Sequence, residues 1–184
     1  MSQKVFYSEK SKHPVVLLGY MGSGKTTVGR HLAKKLALPF VDLDDYLKEI
    51  HDSSVPNLFR KHGEIGFRKL EQTALDDLLS STQASVLSLG GGTPCYANNM
   101  QSVIQSTPHT FYISPSISTL CHRLYSAKDH RPIISHLTSK DKLQDFIAKH
   151  IFERKKFYEQ ANHVLCVKDE TPQELVDQII KKLS

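Results

Sequence analysis

Apolar residues in this chain gather in five short, dense runs: VVLL at 15–18, FVDL at 40–43, SVLSL at 85–89, TFYI at 110–113 and HVLCV at 163–167. Runs of four or five with little polar alternation suit strands buried on both faces, as in a parallel sheet. Between them, near 25–37, 44–51, 55–80, 96–106, 116–125, 141–160 and 172–183, the stretches have helical length and spacing. Strand and helix in alternation predict βαβ units with right-handed crossovers. The result is an α/β fold in three layers, with the loops after the strand carboxyl ends gathered on one rim, where open sheets bind ligands. Two segments stand outside the alternation. Residues 126–140, SAKDHRPIISHLTSK, are polar, contain Pro132 and follow no period, which predicts a lid loop. Residues 1–14 carry no apolar stretch, which predicts a loose tail ahead of a single domain over 15–184.

Composition narrows the class. A chain of 184 residues, 39% hydrophobic and 23% charged, is ordinary for one globular domain. No apolar run is longer than the four residues Val15 to Leu18, so no membrane span is expected. Three cysteines, Cys95, Cys121 and Cys166, are odd in number and far apart, which offers no metal-binding pair and suits a reducing, cytoplasmic setting. The net charge of +5 attracts anions, but the basic residues are dispersed; the densest cluster is Arg154-Lys155-Lys156. Without Trp or interleaved aromatic and basic residues, nucleic acid is the weaker partner and small phosphorylated ligands the better one.

The chemistry begins at Gly19-Tyr20-Met21-Gly22-Ser23-Gly24-Lys25-Thr26, a phosphate-binding loop between an apolar strand and a helix. Glycines let backbone N–H groups converge on a phosphate, and the helix N-terminus adds unpaired donors and a positive dipole end. Lys25 is placed for the β- and γ-phosphates and Thr26 for Mg²⁺. At average composition the pattern arises by chance in fewer than about one chain of this size in a hundred, so an accidental turn is set aside. None of the nine glycines has Asp three positions before it, and no guanine-reading Asn/Thr-Lys-x-Asp occurs, which argues against a GTP switch.

Asp42-Leu43-Asp44-Asp45 closes the second strand. On a strand, Asp42 and Asp44 would face the same side, one toward a metal and one toward a substrate hydroxyl. Asp44 could instead cap the following helix, but the Mg²⁺ of a phosphate loop needs an acidic partner, which favours the functional reading. On a helical wheel anchored at Phe67, Leu70, Ala74, Leu75 and Leu78 define an apolar arc. Glu71 falls inside that arc at about 40°, Glu64 near about 60° and Arg68 on its edge at about 100°. A glutamate on a buried arc needs a partner, so Glu71 is expected to orient Arg68, leaving the guanidinium to grip an anion. Arg154 sits mid-arc on the helix 141–160 and either snorkels to solvent or projects into a polar cavity. Gly90-Gly91-Gly92 after the third strand permit a close backbone approach.

GYMGSGKTTVGR at 19–30, DLD at 42–44, FRKHGEIGFRKLE at 59–71, LGGGTP at 89–94, Arg131-Pro132 and ERKKFY at 153–158 together resemble the shikimate kinase family, from Val15 to about Ile180. The resemblance implies a nucleoside-monophosphate-kinase-like P-loop fold with a five-stranded parallel sheet in order 2-3-1-4-5. It implies a monomer that phosphorylates the 3-hydroxyl of shikimate from ATP with Mg²⁺, the fifth step of chorismate synthesis. Carried over, Gly22, Ser23, Gly24, Lys25, Thr26 and Thr27 hold the ATP phosphates, and Thr26 and Asp42 serve Mg²⁺. The stretch 44–80 becomes the shikimate-binding region. Asp44 meets the acceptor hydroxyls, Arg68 and Arg154 clamp the carboxylate, Gly90 to Gly92 close the pocket, and lid Arg131 reaches the transferring phosphate. One departure touches the nucleobase. Where the family has an adenine-stacking arginine this chain has Leu124, with Arg123 one step earlier, so either the lid is one residue longer or adenine is held differently. The alternatives are a gluconate kinase of the same fold, or a module that binds ATP without turnover.

Overall fold

A computed structural model describes residues 13–81, 83–126 and 133–183. Five parallel strands, β1 (Val15–Leu18), β2 (Phe40–Asp42), β3 (Val86–Ser88), β4 (Thr110–Pro115) and β5 (His163–Val167), form one sheet in order β2-β3-β1-β4-β5. This is the expected order. Val15 pairs with Val86 on one side of β1, and Val16 with Thr110 on the other.

Side chains of β1 point alternately to the two faces, and all four are fully buried. Val15 and Leu17 pack with Val28 and Leu32 of α1 (Lys25–Leu36) and with Val176 and Ile179 of α7 (Pro172–Leu183). Val16 and Leu18 join the opposite core. It is built from α2 (Leu43–His51), α3 (Val55–Ser80), α4 (Asn99–Ser106), α5 (Ile117–Tyr125) and α6 (Lys140–Tyr158). Burying each such side chain contributes roughly 1.5–3 kcal/mol, so the central strand is a rigid base for the loop that follows it. Among the described residues no helix is long and apolar enough to cross a membrane.

Several boundaries differ from the sequence pattern. Strand β2 stops at Asp42 and α2 starts at once, because Asp42 caps it by accepting the N–H of Asp44. Asp44 is therefore a first-turn helical residue. Strand alternation does not relate it to Asp42, and the cap is Asp42. Helix α3 breaks at Gly63 (φ 65°, ψ 179°), and Glu64, which opens the limb after the break, is exposed although the wheel sets it beside the apolar arc. A 3-10 turn over Thr93–Cys95 precedes α4, which starts at Asn99 where the pattern suggested 96.

At the tail the chain is tied down from Pro14, whose carbonyl accepts from Thr107 Oγ1 at 2.7 Å. The lid segment is not polar throughout: Ile134 is fully buried in the core beside α6. Arg131 and Pro132 lie outside the described residues.

Candidate active site

Strand β1 runs straight into the phosphate loop. Gly22 and Gly24 take positive φ of 77° and 98°, a region that side-chain-bearing residues rarely adopt. Gly19 has no room either, since a Cβ there would lie 2.6 Å from the Ile113 carbonyl oxygen. The loop is thus held against β4 by backbone contact. The Lys25 ammonium is buried and donates to the carbonyls of Gly19 (2.8 Å) and Tyr20 (3.0 Å). A cavity of about 480 Å³ opens over this loop, lined by residues 21–28 and by Asp42, Asp44, Gly90, Gly91 and Arg123.

Thr26 and Asp42 meet on the rim, the hydroxyl donating to Asp42 Oδ2 at 3.1 Å. Two hard oxygen donors, one of them anionic, fit Mg²⁺, which takes one or two protein oxygens and completes its shell with phosphate and water. Among the described residues no cluster of three metal-ligating side chains occurs, so the pair stands as a partial site of that kind. Asp44 faces the same cavity from the first turn of α2, crowded by protein atoms yet open to the water of the cavity. That crowding pushes its carboxyl up to about 6, the charges of Asp42 and Glu71 add to the rise, and Lys25 opposes it.

Beyond the glycine turn lies the arginine site. Arg68 donates from Nη1 to Glu71 Oε2 at 2.6 Å, and Glu71 is only 2% exposed. The other carboxylate oxygen of Glu71 accepts from Thr93 Oγ1 at 2.7 Å. Glu71 is thus a fully paired buried anion that orients Arg68, as its position on the wheel required. Arg68 Nε is buried without a partner among the described residues. An orphan donor on a guanidinium costs stability, which is tolerable where an anion binds. Arg154 on α6 lies over the Tyr20 ring, 5.7 Å from its centroid, and is half-buried rather than snorkelling free. Both arginines act electrostatically on Cys95, although burial dominates and holds that thiol up at about 11.

Each of the three glycines has its own steric reason. A Cβ on Gly90 would sit 2.8 Å from Thr93 Oγ1 and 3.1 Å from Asp44 Oδ1. On Gly91 it would meet the Met21 N at 3.2 Å, and on Gly92 the Arg68 Nη2 at 3.0 Å. The turn therefore separates phosphate loop, carboxylate and arginine with no space for side chains. Tyr158, at the end of α6, donates its hydroxyl to the Gly91 carbonyl and anchors the turn from outside.

The sequence pattern under-read two positions. Helix α5 directs Leu124 into the core, where it packs over Gly22, and turns Arg123 to the loop. There Arg123 Nη1 donates to the Gly22 and Ser23 carbonyls at 3.3 and 3.4 Å. Among the described residues the arginine facing this cavity is thus Arg123; the apolar positions Leu120, Cys121 and Leu124 on the opposite side were the available signal. Glu170 and Pro172 line the same cavity, in the loop from Val167 to Pro172 that the family resemblance sets beside adenine.

The family model described as shikimate kinase matches residues 21–184. A shikimate kinase from Flavobacterium johnsoniae is 41% identical over 170 residues, covering 92% of this chain and 98% of that protein. The crystal structure of shikimate kinase from Bacteroides thetaiotaomicron superposes with a TM-score of 0.82 at 35% identity, over 93% of this chain and 96% of that one. The enzyme from Acinetobacter baumannii, solved in complex with shikimate, gives 0.80 at 30% identity, over 93% and 92%. A gluconokinase from Sinorhizobium meliloti gives 0.61 at 20% identity over 94% and 91%, a likeness of fold alone.

Proposed function

The chain belongs to the shikimate kinase family, and on that premise we propose that it transfers the γ-phosphate of ATP to the 3-hydroxyl of shikimate, giving shikimate 3-phosphate and ADP in aromatic amino acid biosynthesis. The observation that carries the acceptor assignment is the buried Glu71, which holds Arg68 toward the far side of the glycine turn from the phosphate loop. A neutral acceptor would give no reason for that construction.

In this reading the backbone of Gly22, Ser23 and Gly24, with Lys25, Thr26 and Thr27, cradles the ATP phosphates. Lys25 exchanges its contacts with the Gly19 and Tyr20 carbonyls for phosphate oxygens. Mg²⁺, held through Thr26 and Asp42, would neutralise charge on the β- and γ-phosphates. Arg68 and Arg154 bind the shikimate carboxylate, and the Gly90–Gly92 backbone closes over the ring. Asp44 orients the 3-hydroxyl and accepts its proton as the oxygen bonds to the γ-phosphorus and the bond to the β–γ bridging oxygen breaks. With its carboxyl at about 6, Asp44 is ionised and yet basic at neutral pH, which suits that task. Arg131 is assigned to the transferring phosphate by the family resemblance. That the enzyme acts as a monomer is likewise carried over from the family resemblance.

The test is ADP release from Mg²⁺-ATP with shikimate, gluconate or no acceptor. Stimulation by shikimate alone is expected. Stimulation by gluconate alone would move the acceptor assignment, and ATP binding without turnover would favour a regulatory module. Arg68→Ala or Arg154→Ala should weaken shikimate binding about 10- to 100-fold, since a charge-assisted contact is worth roughly 1.5–3 kcal/mol. Equal losses for ATP in calorimetry would remove the clamp assignment.

A further inference from the structure

We infer that Tyr96 is a positioning residue for the acceptor, holding the Arg68 guanidinium face-on so that it meets the acceptor carboxylate already oriented. This rests on the proposed role of Arg68. The Arg68 Cζ lies 3.8 Å from the centroid of the Tyr96 ring, much closer than the 5.3 Å and 5.6 Å that separate it from the Phe67 and Phe59 centroids. Glu71 holds one edge of the guanidinium, and Tyr96 holds its face.

The ring is itself tethered. Its hydroxyl donates to Glu64 Oε1, and Glu64 stands four residues before Arg68 on the limb of α3 beyond the Gly63 break. One face of the helix therefore grips the tyrosine at both ends, through the hydroxyl at Glu64 and the ring at Arg68. The chain turns sharply behind Tyr96, because Ala97 adopts a positive φ of 48°, and Asn99 N–H donates to the Tyr96 carbonyl at 3.2 Å. That turn presents the ring to α3.

Stability is a weak reason for this construction. Tyr96 is half-buried and Glu64 exposed, so their bond contributes little to folding. Binding gives a better one. An arginine fixed only at Nη1 can still swing, and ordering such a side chain on association weakens affinity. A stacked, edge-bound guanidinium has already lost that freedom. Tyrosine serves because it offers a π-face to the cation and a hydroxyl to the tether.

The experiment measures KM for shikimate, KM for ATP and kcat in Tyr96→Ala, Tyr96→Leu, Tyr96→Phe and Glu64→Gln, with shikimate methyl ester as a second acceptor lacking the charge. Loss of the stack should raise the shikimate KM about tenfold in Y96A and Y96L, leaving the ATP KM within about twofold. Y96F keeps the face and should stay within about threefold of wild type, as should E64Q. On the ester, Y96A should cost almost nothing, because the ester gives Arg68 no anion to grip. Turnover on shikimate with an unchanged KM in Y96A and Y96L would overturn this inference alone. So would equal rises for ATP, or an equal penalty on the ester, since either would mark a structural defect. A wild-type chain inactive on shikimate would instead overturn the reading of the site on which the inference depends.

Discussion

Asp44→Asn should make the protein more stable and nearly inactive, because the native carboxylate is held where its charge is disfavoured. The carboxyl is raised from 3.8 to about 6, first by the protein atoms crowded round it and then by the nearby charges of Asp42 and Glu71. Each tenfold weakening of its acidity corresponds to about 1.4 kcal/mol, so the rise would amount to about 3 kcal/mol in a dry site. Asp44 opens to the water of the cavity, and solvent screening brings the cost of its charge to the apo fold down to about 1–2 kcal/mol above pH 6. The sign comes from linkage. A group whose folded value is raised favours folding fully below its unfolded value, near 3.8, and that contribution is lost as pH rises through about 6. Asparagine keeps the shape and removes the charge. In EDTA without nucleotide, D44N should therefore unfold about 2–8 °C above wild type at pH 7.5, at roughly 2–4 °C per kcal/mol for a domain of this size. Near pH 4 the two proteins should converge. Differential scanning calorimetry across that range, paired with ADP release, checks both halves. A D44N protein less stable than wild type at pH 7.5, or a stability gain that does not shrink with acid, would refute the reasoning.

Three further outcomes rest on contacts in the site. Gly92→Ala places a methyl 3.0 Å from Arg68 Nη2, so the shikimate KM should rise about tenfold while ATP binding, read by calorimetry, stays within about twofold. Glu71→Leu leaves Arg68 and the buried Thr93 hydroxyl without their acceptor and should cost about 3 kcal/mol in urea unfolding, toward the lower end for breaking a buried pair because Arg68 is partly exposed. Its acid limb depends on Asp44 too: with one neighbouring charge gone, the pH at which kcat/KM falls on acidification should move below that of the wild type. Thr26→Val removes one oxygen donor from the pair with Asp42, so the Mg²⁺ concentration giving half-maximal rate should rise severalfold, with thermal stability nearly unchanged at this exposed position.

Much of the fold was legible because its signals are local. Each strand is a dense apolar run, each helix has its own period, and the phosphate loop is a contiguous motif whose glycines adopt the backbone they were expected to adopt. Glu71 was legible for a different reason. A charge on an apolar arc is costly unless paired, and a partner three residues away was available on the same helix. The wheel alone does not give the exposure of Glu64, because Gly63 breaks the helix just before it and leaves Glu64 at the start of the limb.

Long-range contacts were beyond the reach of spacing rules. Arg123 and Leu124 are neighbours in sequence with opposite fates. The apolar face of Leu120, Cys121 and Leu124 marks Leu124 as the inward one, but only the docking of α5 against the phosphate loop sets Arg123 over it. Thr93 completes the Glu71 pairing from 22 residues away, and Tyr158 anchors Gly91 across 67. No periodicity links residues so far apart. The order of amino acids therefore dictated the layers, the phosphate loop and the chemical types at the site. Chain packing set Arg68 against the glycine turn and gave Asp44 its crowded surroundings, since distances and desolvation belong to neighbours in space rather than in sequence.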